Sequence, residues 1–96
     1  MHSVTLYRWT DQGLRNVKDT VKRTQAAISA MEKAGWKVTL YWTQGQYDMI
    51  VIVEGSGDED AGNAILLGIL QAGNVRTETM RAFNAEEMER ILKKVP

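Results

Sequence analysis

The sequence predicts an α+β fold in which a four-stranded antiparallel sheet carries two helices on one face. The chain order is β-α-β-β-α-β, the split βαβ arrangement, with one further helix at the end. Three observations carry that expectation. Apolar periodicity alternates between two residues and 3.6 residues in this order along the chain. The two middle strands are joined by a glycine-led turn that sets their register. The resulting hairpin has one uniformly apolar face, and right-handed crossovers bring both helices to the same side of a sheet to cover it.

Residues 3–9 (Ser-Val-Thr-Leu-Tyr-Arg-Trp) alternate and are rich in β-branched and aromatic types, which predicts the first strand. Thr10-Asp11-Gln12-Gly13 ends it, and a hydroxyl or carboxylate there caps a short helical turn over 11–17. The first main helix is expected over 19–34. Val17, Val21, Thr24, Ile28 and Met31 recur at spacings of four and three, and Gly35 follows as the stop.

Residues 36–44 and 47–54 read as a hairpin about Gly45-Gln46, a two-residue loop of type II′. That turn sets Trp42 opposite Met49, Leu40 opposite Val51, Val38 opposite Val53 and Lys37 opposite Glu54. Asp58 caps the second main helix, with Glu59 and Asp60 in its first turn, where the dipole favours anions. This helix is expected to run to Ala72, with Gly73 beyond it. A last, more polar strand covers 74–83. Asn84 and Glu87 then form a capping box ahead of Met88, Ile91, Leu92 and Val95.

Composition narrows function. The 96 residues suit one domain spanning 1–96. Lys plus Arg is 12 and Asp plus Glu is 12, so no bulk field recruits nucleic acid or an anionic membrane, and neither is expected as a partner. The chain has no cysteine, which excludes thiol chemistry and thiolate metal sites; its one histidine, His2, argues against a histidine metal centre or triad, and neither cofactor nor metal is expected. With no basic, apolar leader at Met1-His2-Ser3, the cytoplasm is the expected compartment.

The hairpin face away from the helices carries Thr39, Tyr41, Thr43, Ile50 and Ile52. Tyr7 and Thr5 of the first strand are expected to join it. So apolar a face needs cover, and a second copy of the same face supplies it, which predicts a homo-oligomer. A small-molecule cleft between two such sheets would have Tyr7, Tyr41, Thr43 and Asp48 on its floor and one alternate set of the last strand as its wall. Thr77 is favoured over Arg76 and Glu78 there, because a hydroxyl suits a partly buried wall better than an unpaired arginine. Asp48 has two readings: a cleft base or acceptor, or, the favoured one, a structural carboxylate that accepts from backbone amides or Thr43 or pairs with an arginine across the sheet. Tyr47 is expected to pack at the hairpin end on the face opposite Tyr41. Arg15, Lys18, Lys22 and Arg23 read as a solvated basic helix face.

Gly45-Gln46-Tyr47-Asp48 matches the Gly-x-Tyr-Asp signature of the GYD domain. Thr10-Asp11-Gln12-Gly13 resembles that family's element after the first strand, and 73–83 (Gly-Asn-Val-Arg-Thr-Glu-Thr-Met-Arg-Ala-Phe) resembles its last-strand block. The resemblance covers nearly the whole chain. It implies a ferredoxin-like fold of the dimeric α/β barrel kind, in which two sheets stack face to face, and it implies no established catalysis. One departure stands out: the family's usual Pro-Asp before the second helix is here Gly57-Asp58, which predicts a looser loop.

Two functions remain open. One is a homo-oligomeric module that binds a small organic molecule. The other is a cofactor-independent oxygenase or isomerase in the same cleft, distinguished by conversion of a bound compound and its loss in Asp48→Asn. An RNA-recognition module of the same topology is disfavoured, because the third strand (Tyr-Asp-Met-Ile-Val-Ile-Val) lacks the basic, aromatic run such modules use.

Overall fold

The structure, a computed structural model, describes residues 1–96. Strand β1 (His2–Trp9) leads into a short helix α1 (Asp11–Arg15), a 3-10 turn at Val17–Asp19 and helix α2 (Thr20–Lys33). The hairpin β2 (Trp36–Trp42) and β3 (Met49–Gly55) precedes helix α3 (Glu59–Gln71), strand β4 (Val75–Ala82) and helix α4 (Ala85–Leu92). All pairings are antiparallel and the sheet order is β2-β3-β1-β4. Helices α2 and α3 cover one face. This is the ferredoxin-like order.

The hairpin register is the one its turn dictates, with Trp42 opposite Met49 and Lys37 opposite Glu54. The turn itself is wider than a two-residue loop. The ladder stops at Trp42 and Met49, and Gly45 lies at φ 142° within the loop between them. The flanking polar groups are used elsewhere: the Thr43 hydroxyl donates to the Tyr47 carbonyl (2.7 Å), and the Asp48 carboxylate turns to β1.

Strand β1 corrects one expectation. Tyr7 pairs with Met49 and Thr5 with Val51, so both point toward the helices and not to the open face. Either alternate set of β1 contains apolar residues, and the bulky aromatics Tyr7 and Trp9 go inward. Val4, Leu6 and Arg8 take the open side. The buried core is correspondingly a layer on the inner sheet surface, made of Tyr7, Met49, Val51 and Val75, with Ile69 of α3 resting on it.

Two indole N–H groups fasten the helices to this layer. Trp36 Nε1 donates to the Asp58 carbonyl at the start of α3 (3.0 Å), and Trp42 Nε1 donates to Thr20 Oγ1 at the start of α2 (3.1 Å). The helix ends follow local chemistry. Asp58 accepts from the Ala61 amide (3.1 Å), and Asn84 and Glu87 form the reciprocal capping box. The Gly57-Asp58 loop is pinned, contrary to expectation. A Cβ at Gly57 would lie 2.6 Å from the Ala34 carbonyl oxygen and 2.7 Å from the Trp36 ring. The Trp36 indole fills the space that a proline ring would need.

Candidate functional site

A cavity of about 530 Å³ lies between the helices and the inner face of the sheet. Its position follows from the packing. No residue of α2 or α3 is fully buried, so the helices stand off the sheet while their amino-terminal ends are held by the tryptophans. Thr5, Tyr7, Met49 and Val51 form part of the floor, Thr24, Ala27, Ile28 and Met31 come from α2, and Ile65, Leu66 and Ile69 come from α3. Apolar lining with a few convergent polar groups is the usual make-up of a small-molecule site.

Polar side chains from the sheet and from both helices interrupt this wall. The Thr5 and Thr79 hydroxyls bond to each other (3.0 Å) across β1 and β4. The Tyr7 phenol lines the cavity and makes no hydrogen bond to the protein; burial raises its pKa above the ordinary tyrosine value, so it stays protonated. Arg23 of α2 is in the same wall. Its Nη1 donates to the Asn16 carbonyl (2.8 Å), while its Nη2 is buried without a partner. Arg23 was expected on a solvated basic face. Its lining position follows from the phase of α2, which turns Thr20, Arg23, Thr24 and Ala27 to the sheet and leaves Val21 half exposed.

The residues expected to form one cleft are divided between two faces. Tyr7 lines the cavity under the helices. Thr77 pairs with Tyr7 and so shares the inner side, but it is outside the cavity wall. The preference for Thr77 as a wall of the open-face cleft is therefore corrected: Val75 is buried and sets the odd residues of β4 inward, which turns Arg76 and Glu78 outward. Tyr41 stands exposed on the open face, opposite Ile50. Thr43 and Asp48 meet at the hairpin end, where the Thr43 amide donates to the Asp48 carbonyl (2.9 Å).

Asp48 is a backbone acceptor. Its amide donates to the Tyr7 carbonyl (2.8 Å) and its carboxylate accepts from the Trp9 amide (2.8 Å). Beyond Met49 the partner strand leaves β1, and the carboxylate takes the amide that the ladder would otherwise have satisfied. The Thr10-Asp11-Gln12-Gly13 element is equally architectural. The Thr10 amide donates to the Asn74 carbonyl (3.0 Å), the Thr10 hydroxyl to the Gly73 carbonyl (2.6 Å) and Gln12 Nε2 to the Ala72 carbonyl (2.8 Å). The Thr10 oxygen also accepts from the Gly13 amide, capping α1. Gly73 makes the reversal possible at φ 83°, in the left-handed region that favours glycine.

The open face holds a polar cluster that alternation alone did not disclose. The Arg8 guanidinium lies 4.7 Å from the Tyr47 ring centroid, and Arg8 Nη2 is 4.0 Å from Glu78 Oε1. The Tyr47 hydroxyl donates to Glu78 Oε2 (3.3 Å). Tyr47 is thus on the side of Tyr41, because the loop from Thr43 onward leaves the two-residue period that had assigned it to the other side. At the far end of the same face, His2 Nδ1 is 2.9 Å from Glu87 Oε1 of α4 and His2 Nε2 is 3.7 Å from Glu54 Oε2. Between these clusters run Val4, Leu6, Ile50 and Ile52.

A four-stranded antiparallel sheet with helices on one face and a mainly apolar cavity beneath them defines an α+β domain of ferredoxin-like order. The chain belongs to the GYD domain family, whose model matches residues 4–92. It is similar to the protein TTHA0845 from Thermus thermophilus, known from a crystal structure, at 27% identity over 88% of this chain and 94% of that chain, with a TM-score of 0.50. No curated protein matches it. No helix is long and apolar enough to cross a membrane.

Proposed function

We infer that this GYD domain is a homo-oligomeric small-molecule-binding module, with its ligand held in the cavity between the helices and the sheet. The cavity is the observation that carries the reading. About 530 Å³ falls within the ~300–1,000 Å³ typical of ligand sites, and the lining is mainly apolar. The family signatures do not compete with this assignment, because Asp48 and the Thr10–Gly13 element are occupied in backbone hydrogen bonds. Binding is favoured over cofactor-independent oxygenation or isomerisation for the same reason. Asp48, the base that such chemistry was expected to use, is committed to the Trp9 amide and is not in the cavity wall.

Self-association through the open face is supported by its pattern. An apolar row of Val4, Leu6, Ile50 and Ile52 lies between a polar cluster at each end, the arrangement of an interface core with a polar rim. A two-fold stack of identical faces needs no second partner.

The cavity is tested by titration with the neutral apolar fluorophore N-phenyl-1-naphthylamine. Saturable binding, one probe per chain, is expected, and Ala27→Phe, which fills the wall, should abolish it. Undiminished binding to Ala27→Phe would place the site elsewhere. Ile52→Lys should shift the sedimenting species toward monomer; an unchanged mass would refute the sheet-face assembly.

A further inference from the structure

We propose that the cavity between the helices and the sheet selects an apolar molecule carrying a single carboxylate, with Arg23 as the anion anchor and the Tyr7 hydroxyl as a second donor. The proposal rests on the assignment of that cavity as the binding site and names what it takes.

Arg23 is the starting point. A guanidinium in an apolar wall is costly unless an anion or acceptors complete its hydrogen bonds. The protein supplies one acceptor, the Asn16 carbonyl, to Nη1, and it leaves Nη2 buried and unpartnered. No carboxylate of the chain forms an ion pair with Arg23. Glu59 is the only carboxylate side chain in the wall, and it belongs to the exposed first turn of α3. The other cation, the Met1 amine, is already bonded to the Gly55 carbonyl at 2.8 Å. Arg23 therefore lines the cavity with no carboxylate of the chain to balance its charge.

Tyr7 lies in the wall of the same cavity. Tyr7, Met49 and Trp42 form a cross-strand row, and the Trp42 indole bonds to Thr20 at the start of α2. Arg23 is one turn further along that helix. Tyr7 has no protein partner and, being buried, remains a phenol that donates. A planar carboxylate suits the guanidinium fork, and one negative charge balances the one arginine; a dianion would leave a charge uncompensated against a mainly apolar wall. Most of the rest of the lining is apolar and suits hydrocarbon or aromatic surface.

Decanoate and decanol separate the two layers of this reading, since they share a chain and differ in charge. In calorimetric titrations at neutral pH, decanoate should bind at least about tenfold more tightly than decanol, the size expected for a hydrogen bond to a charged group. Arg23→Gln should weaken decanoate by about tenfold or more and so remove that preference, with a much smaller effect on decanol, while Arg23→Lys should retain part of it. Tyr7→Phe should weaken both ligands. Equal affinities in the unaltered protein would overturn the carboxylate anchor while leaving the cavity as a site. Binding of neither ligand would overturn both. Parallel loss of decanoate and decanol in a folded Arg23→Gln would show that Arg23 only shapes the wall, and would equally overturn the proposal.

Discussion

The junction of α1 with the α3–β4 turn and the space under α2 and α3 are built on opposite terms. At the junction, four hydrogen bonds run from Thr10 and Gln12 to residues 72–74, and the backbones touch so closely that Gly13 has no room for a side chain. Under the helices, the walls are apolar, the helices bury nothing completely, and about 530 Å³ is left open. A hydrogen-bonded corner can hold its shape without a dense core, because each bond fixes a direction as well as a distance. The family motifs therefore mark the frame, and the space the frame keeps open is lined by residues outside them.

The comparison breaks most visibly at Gly13. A Cβ there would sit 1.8 Å from the Asn74 carbonyl oxygen, which is backbone and has no alternative rotamer. Gly13→Ala should cost about 3 kcal/mol, the upper range for overpacking, and lower Tm by more than ~10 °C for a domain of this size. Thermal unfolding followed by circular dichroism checks it. A variant as stable as the parent would mean that the junction opens freely and is no frame.

Asp48 sharpens the same point with a smaller effect. Asp48→Ala leaves the Trp9 amide without its acceptor and should cost about 1–3 kcal/mol in urea unfolding. Asp48→Asn keeps an acceptor oxygen and should lose less than half as much. If the two variants are equally destabilised, charge and not the hydrogen bond is what matters at that position.

The hollow region should respond in the opposite sense. Ala27→Phe adds apolar volume where there is space for it, so it should be neutral or stabilise by up to about 1 kcal/mol, while costing the site its ligand. Substantial destabilisation would mean that the cavity closes in solution and that α2 already rests on the sheet.

What was legible in the sequence follows the same division. The hairpin register could be read because a glycine-led turn and a one-sided apolar pattern agree, and a slip by one residue would reverse every side chain. Caps at Asp58 and Asn84 were legible because they depend on chemistry within three residues. The faces of β1 and β4 were not. Val4 and Leu6 compete with Tyr7 and Trp9 for the interior, and β4 offers only the burial of Val75 to settle its phase. The cavity had no local signal at all. It exists because two helices stand away from a sheet, a property of tertiary packing, and Arg23 reads from sequence like any other lysine or arginine of an exposed helix face.

The smallest effect concerns α4, whose attachment is of a third kind. The helix exposes Met88, Ile91 and Leu92 and is joined to the sheet through Glu87 and His2. Glu87 accepts from the Asn84 amide (3.0 Å), and that bond, aided by the charges of His2 and of the amino terminus, holds its pKa below the ordinary glutamate value of 4.5. A carboxylate with a depressed pKa stabilises the folded form above its unfolded pKa, and the contribution is lost as pH falls through the lowered value. Helix α4 should thus be held at neutral pH and loosen only in acid, below about pH 4.5. The Glu87 side-chain carboxyl carbon, followed by NMR across that range, should titrate with a midpoint below the ordinary glutamate range. Glu87→Gln should shift the Asn84 and Met88 amides at neutral pH while leaving those of the Thr10–Gly13 junction in place. A Glu87 midpoint at or above the ordinary value would mean that the capping bond is not kept in solution. Disturbance of the junction by the same variant would mean that α4 is part of the frame and not an appendage to it.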